Sequence, residues 1–249
     1  MNRWTLLMAV LLAGACRPAA PGAAELISRC IEAHGGAAYA SLDVRFTFRE
    51  RSYRMVRHEG LFRYERSWQD SSGTVRDILS NSGFRRELDG REVLLPDSLA
   101  AKYSASVNSV CYFALLPAPL ADEAVQAAYA GEARIKGQRY HKLRVTFRQE
   151  GGGTDFQDEF YYWIHPETFT LDYLAYSYHT EEGGLRFREA IGAQQAGGIR
   201  LQDYTNYSAD PAQWQVQDLD QAFGQGALKR LSEIRIESPR AAPANSVPI

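Results

Sequence analysis

Asp155, Asp158 and Glu159 sit close together, with Glu150 just before them and Gly151-Gly152-Gly153 between. Close-set carboxylates are what a hard cation or a general acid–base pair requires. In an extended strand Asp158 points opposite to Asp155 and Glu159, so the acids converge only across a bulge. The string also lacks the ligand spacing of a calcium loop, and solvated acids at a strand end account for it. The histidines, His34, His58, His141, His165 and His179, are scattered; none pair at zinc spacing, and no nucleophile elbow, P-loop or dinucleotide fingerprint occurs. His165 before Pro166 reads as a turn residue. His34 before two glycines reads as a helix terminus, where a cation is favourable. No metal ligand, cofactor or catalytic residue is assigned; the Glu150 to Glu159 acids and His179 are the participants an enzyme would use.

Cys16 has the most specific chemical setting. A basic Arg3 precedes an apolar run from Trp4 to Leu12, then Ala13-Gly14-Ala15-Cys16 and the helix-hostile Arg17-Pro18. A basic start, a short apolar middle and small residues describe an export signal too short to span a bilayer. Small residues before cysteine resemble the lipobox of bacterial lipoproteins, in which that cysteine is acylated and becomes the mature N-terminus. Ala13 stands where a lipobox usually has Leu, and an ordinary secretory signal with Cys16 incidental is the alternative. Several acyl chains on one cysteine anchor stably where one binds marginally. Arg17 is not the Asp that retains such proteins at the inner membrane, which favours the outer membrane, facing the periplasm. The chain divides into a signal over 1–15, a lipid-attachment cysteine and tether over 16–23, one β-rich domain over 24–238, and a disordered tail over 239–249.

Composition limits the partners. The net charge of −2, with acids and bases well mixed, argues against a nucleic-acid footprint. No second apolar run approaches spanning length, so membrane contact comes from the anchor. Cys30 and Cys111 fall at apolar positions of predicted helices, where they are small hydrophobes or, in an oxidising compartment, a disulfide pair.

The elements that must position any site follow from periodicity. Leu26, Ile27, Cys30, Ile31 and His34 predict a helix stopped by Gly35-Gly36. Alternation at Val44, Phe46 and Phe48, and at Phe62 and Tyr64, predicts half-buried antiparallel strands. Leu99, Tyr103, Val107, Val110, Cys111 and Ala114 form the stripe of a second helix that starts at Pro96-Asp97-Ser98. Its other face, Ala100, Ala101, Ser104, Ala105 and Ser106, permits close packing. A short helical pass follows at Asp122 to Tyr129. Strands are predicted over 135–147, 156–164, 169–178, 185–191 and 199–207, with a last element at Leu228 to Ile236.

Parity then sorts the aromatic residues. Phe160, Tyr162 and Ile164 share one face; a regular hairpin through His165 to Thr168 adds Phe169, Leu171, Tyr173 and Ala175. The opposite face collects Tyr161, Trp163, Leu174, Tyr176, Tyr178, Phe187 and Ile191. Two apolar faces on one sheet mean burial on both sides or a cavity lined by one of them. The first six of the second set are the candidate ligand-binding residues, core packing being the alternative.

Several strings also carry a family resemblance: Ile31-Glu32-Ala33-His34-Gly35-Gly36, Leu95-Pro96-Asp97-Ser98-Leu99, the stretch from Gly151 to Trp163, and Leu174 to Thr180 followed by Arg186 to Ala190. Together they resemble a family of uncharacterised bacterial lipoproteins. The order helix, strands, long helix, strands is similar to the periplasmic lipoprotein carriers LolA and LolB. That similarity implies an α+β fold: a strongly curved antiparallel sheet or incomplete β-barrel with helices packed in its concave face. It also implies an apolar ligand, a lipid or acyl chain, held without catalysis. An envelope enzyme using the acidic cluster, or a structural partner at the outer membrane, is the alternative.

Overall fold

The computed structural model describes residues 21–150, 157–179 and 183–242. The signal segment and Cys16 lie outside the described residues, as does Asp155. Among the described residues no helix is long and apolar enough to cross a membrane.

The chain runs through α1 (Ala23–His34), then β1 (Ser41–Phe48), β2 (Arg51–His58), β3 (Leu61–Asp70), β4 (Gly73–Ser80), β5 (Gly83–Leu88) and β6 (Arg91–Val93). The long helix α2 (Asp97–Leu115) leads into β7 (Val125–Ile135), β8 (Gln138–Phe147), β9 (Phe160–Ile164), β10 (Leu171–Tyr178), β11 (Gly184–Ala196) and β12 (Ile199–Ala209). A short α3 (Leu219–Gly224), β13 (Lys229–Ile234) and β14 (Glu237–Ala241) follow.

Strands β14-β1-β2-β3-β4-β5-β6 form one seven-stranded antiparallel sheet and β13-β12-β11-β10-β9-β8-β7 a second. The link from β13 to β14 carries the chain from the edge of the second sheet to the edge of the first. The first sheet packs Val44, Phe46, Tyr53 and Met55 against Val107, Cys111 and Leu115 of α2, joined by Ile199 and Leu201 of β12. The second sheet packs Leu143, Val145, Tyr162, Ile164 and Leu174 against Leu26, Ile27 and Cys30 of α1. Helices α1 and α2 thus lie against the inner faces of curved, open sheets, the arrangement the order of elements implied.

Several expectations need correction. The segment read as a tail from residue 239 begins with a strand, since Glu237, Arg240 and Ala241 pair with β1. The predicted helical pass at Asp122 to Tyr129 is largely the start of β7. There Val125, Ala127 and Tyr129 are half-buried while Gln126, Ala128 and Ala130 are exposed. Alanine-rich propensity yields to pairing with β8, because alternation on a sheet edge decides the conformation. Much of the small-residue face of α2 is not closely packed: Ala101 and Ala105 are exposed, as is Leu99 at 40%, although the Ser106 hydroxyl is bonded by Arg66. Cys30 and Cys111 are free, buried in different core clusters, and burial pushes both thiols up.

α1 ends where Gly35 turns the chain at φ 141°. A Cβ there would lie 2.7 Å from the carbonyl oxygen of Gly198, so the helix end presses against the β11–β12 turn. His34, beside it, is 1% exposed, and its Nε2 accepts the backbone N–H of Leu171 at 3.0 Å. It is a neutral acceptor, not the cation its place at a helix terminus suggested. Burial first, then the charge of Arg200, lowers its pKa from 6.5 to about 4. The unfolded chain takes up this proton at a higher pH than the folded one. Stability from neutral His34 is therefore complete above pH 6.5 and is lost as pH falls toward 4. We expect wild type to lose about 2 kcal/mol more than His34→Gln between pH 7 and pH 5, read from urea unfolding midpoints. Equal losses in the two proteins would contradict this assignment.

Candidate functional site

The six aromatic and aliphatic residues proposed to share a face are divided between two. The β9–β10 register shifts between Leu171 and Tyr173, so Leu171 pairs with Ile164 while Tyr173 pairs with Trp163. A bulge of this kind reverses the parity of every residue beyond it. Tyr161, Trp163 and Phe187 therefore stay together and are joined by Tyr173 and Ala175. Leu174 and Tyr176 turn to the opposite face with Phe160 and Tyr162, and Tyr178 follows Tyr176, its ring 6.2 Å away. Ile191, beyond a second register shift, is 40% exposed.

The Trp163 face is filled by protein. Val216, Leu219 and Ala222, in and just before α3, cover it, with Phe223 stacked on Phe187 at 4.9 Å. Lys142 straps this cover down, bonding Gln217 O at 2.5 Å and Asp220 at 3.2 Å. The spacing of Val216, Leu219, Ala222 and Phe223 is helical and was the available signal for this missed element.

The two described acids of the string, Asp158 and Glu159, take separate partners. Asp158 meets Nδ1 of His179 at 3.2 Å, whereas Glu159 bonds Arg144 and lies 3.4 Å from the hydroxyl of Tyr161. His165 is the turn residue its sequence suggested, with Nδ1 accepting the N–H groups of Glu167 and Thr168 at 3.2 Å each.

Open space lies elsewhere. Between the two sheets, beside the C-terminal half of α2, is a cavity of about 210 Å³. Its apolar wall comes from Phe46 and Phe48 of β1, Val110 and Phe113 of α2, and Ile234 and Ile236 around the β13–β14 link. Its polar floor is Arg188 of β11 with Gln202, Tyr204 and Asn206 of β12. These polar residues share a face because Arg188 stands opposite Asn206 in the ladder, and residues 202, 204 and 206 alternate along one strand.

The floor is ordered by its own bonds. Gln202 donates to Leu171 O at 2.8 Å and to the Tyr204 hydroxyl at 2.9 Å, and receives Arg200 at 2.9 Å. Burial pushes the Tyr204 phenol up to about 12, so it remains a neutral hydroxyl. Arg188 donates to the Tyr176 hydroxyl at 3.0 Å, and its guanidinium lies 3.7 Å from the centre of the Phe113 ring. Tyr176 thus reaches the edge of this cavity through a floor residue, and Leu174 stands opposite Arg188 in the ladder.

A larger groove of about 550 Å³ runs between α1 and the edge strand β7, along Ile27, Ile31, Leu120 and Val125. Its polar side chains are Ser28 and Glu32, both on α1. The inter-sheet cavity has what a small-molecule site requires: apolar walls and several converging polar groups held by neighbours. Sequence reasoning missed it because its walls come from both sheets and α2.

A family model described as Family of unknown function (DUF6503) matches residues 3–235. No curated protein matches the chain. Among solved structures the chain is similar to a LolA superfamily protein from Nitrosomonas europaea, with 10% identity and a TM-score of 0.48, over 78% of this chain and 88% of that one. It is also similar to a DUF1329 family protein from Desulfovibrio piger, with 10% identity and a TM-score of 0.41, over 88% of this chain and 92% of that one.

Proposed function

The chain belongs to the Family of unknown function (DUF6503), and for it we propose the role of an exported lipoprotein that holds an apolar ligand, a lipid or acyl chain, between its sheets. The observation that carries this reading is the inter-sheet cavity, with aromatic and aliphatic walls and a bonded polar floor. The signal-like N-terminus and the setting of Cys16 support export and acylation, and Arg17 after it supports the outer membrane, facing the periplasm. We read the protein as a holder: Asp158 meets His179 and Glu159 bonds Arg144, and neither acid lines the cavity. Tyr176 keeps a part in the site by bonding Arg188, while Tyr161, Trp163 and Phe187 serve as core beneath α3.

Native mass spectrometry of the purified protein, before and after solvent extraction, tests this. The reading expects adducts of lipid mass that extraction removes. Protein free of lipid, with no acyl probe bound or displaced, would leave the reading without support.

A further inference from the structure

Arg188 is 8% exposed and lines the inter-sheet cavity. Its Nε is buried without a hydrogen-bond partner, and among the described residues it forms no salt bridge. A cation removed from water is stable only when paired or otherwise compensated. Its existing partners are two aromatic rings, Phe113 and Tyr176, and the Tyr176 hydroxyl, all neutral. The cavity lining carries a second arginine, Arg49, and no Asp or Glu. The chamber is therefore apolar along its walls, positive at its floor, and short of one anion.

We propose that its occupant is an amphiphile with a single anionic head, carboxylate or phosphate monoester, whose charge is met by Arg188 while its chain lies along Phe46, Val110 and Ile236. This rests on the reading of the cavity as an apolar-ligand site and specifies its ligand. The planar guanidinium is already aligned by Phe113 and Tyr176, so little ordering is needed when a head group arrives.

Competition against a fluorescent acyl probe on the purified protein tests the proposal, using dodecanoate, dodecyl phosphate and dodecanol. A charge-assisted bond in a buried site predicts that at least one anionic ligand binds wild type about tenfold or more tighter than dodecanol. Whichever head gains identifies the anion. Arg188→Met is expected to bind all three alike, with Arg188→Lys retaining part of the preference. Equal binding of charged and neutral heads by wild type would overturn the proposal, and needs no variant to fold. A preference that survives Arg188→Met would overturn it too. Failure of all three to bind would instead remove the apolar-ligand reading beneath it.

Discussion

Asp77→Ala is expected to destabilise the protein by about 3 to 5 kcal/mol, because it strips the buried Arg66 and the half-buried Arg86 of their shared counter-ion. The Asp77 side chain is 0% exposed and Arg66 4%. Arg66 reaches Oδ2 with Nε at 3.1 Å and a terminal nitrogen at 2.6 Å, while Arg86 reaches Oδ1 at 2.6 Å and Oδ2 at 3.0 Å. The three stand side by side across β3, β4 and β5 on the face that carries α2. Arg66 continues to the Ser106 hydroxyl at 2.7 Å, and Arg86 stacks on Tyr103 at 3.8 Å. The row therefore seats the N-terminal half of α2, whose C-terminal half walls the cavity. If uncompensated charge is the cause, Asp77→Leu combined with Arg66→Met and Arg86→Met recovers most of the loss in denaturant midpoints. A loss below about 1 kcal/mol for Asp77→Ala would contradict the assignment.

Trp163→Ala separates the two faces of the second sheet. Trp163 is 0% exposed, edge-on to Phe187 at 5.6 Å and sealed by α3, so its truncation should cost about 3 to 5 kcal/mol. Because that face is core and the cavity lies on the other side, acyl binding measured where the variant is still folded should match wild type. A variant that keeps its stability but loses the ligand would return the site to the Tyr161, Trp163 and Phe187 face.

How much of this was readable in the sequence depends on how far apart the interacting residues lie. The stripes of α1 and α2, the hairpins and the burial of both faces of the second sheet follow from local periodicity, which the backbone imposes residue by residue. The bulge at Asp172 is different: a single extra residue, unmarked by Gly or Pro, reversed the faces of Leu174 and Tyr176. His34 was legible as a helix end, yet its neutrality depends on Leu171, far along the chain. The cavity was the least legible feature. Phe46, Phe113 and Arg188 come from three separate elements and Ile236 from the β13–β14 link, and no local pattern distinguishes an arginine facing solvent from one buried against a phenylalanine.

The central claim is that the space between the sheets holds an acyl ligand. Native mass spectrometry of wild type beside Val110→Trp tests it most directly, since a tryptophan at this wall position fills the chamber from α2. The account predicts extractable lipid-mass adducts on wild type and their loss from the folded variant. Bare wild-type protein, or adducts retained in full by Val110→Trp, would contradict it.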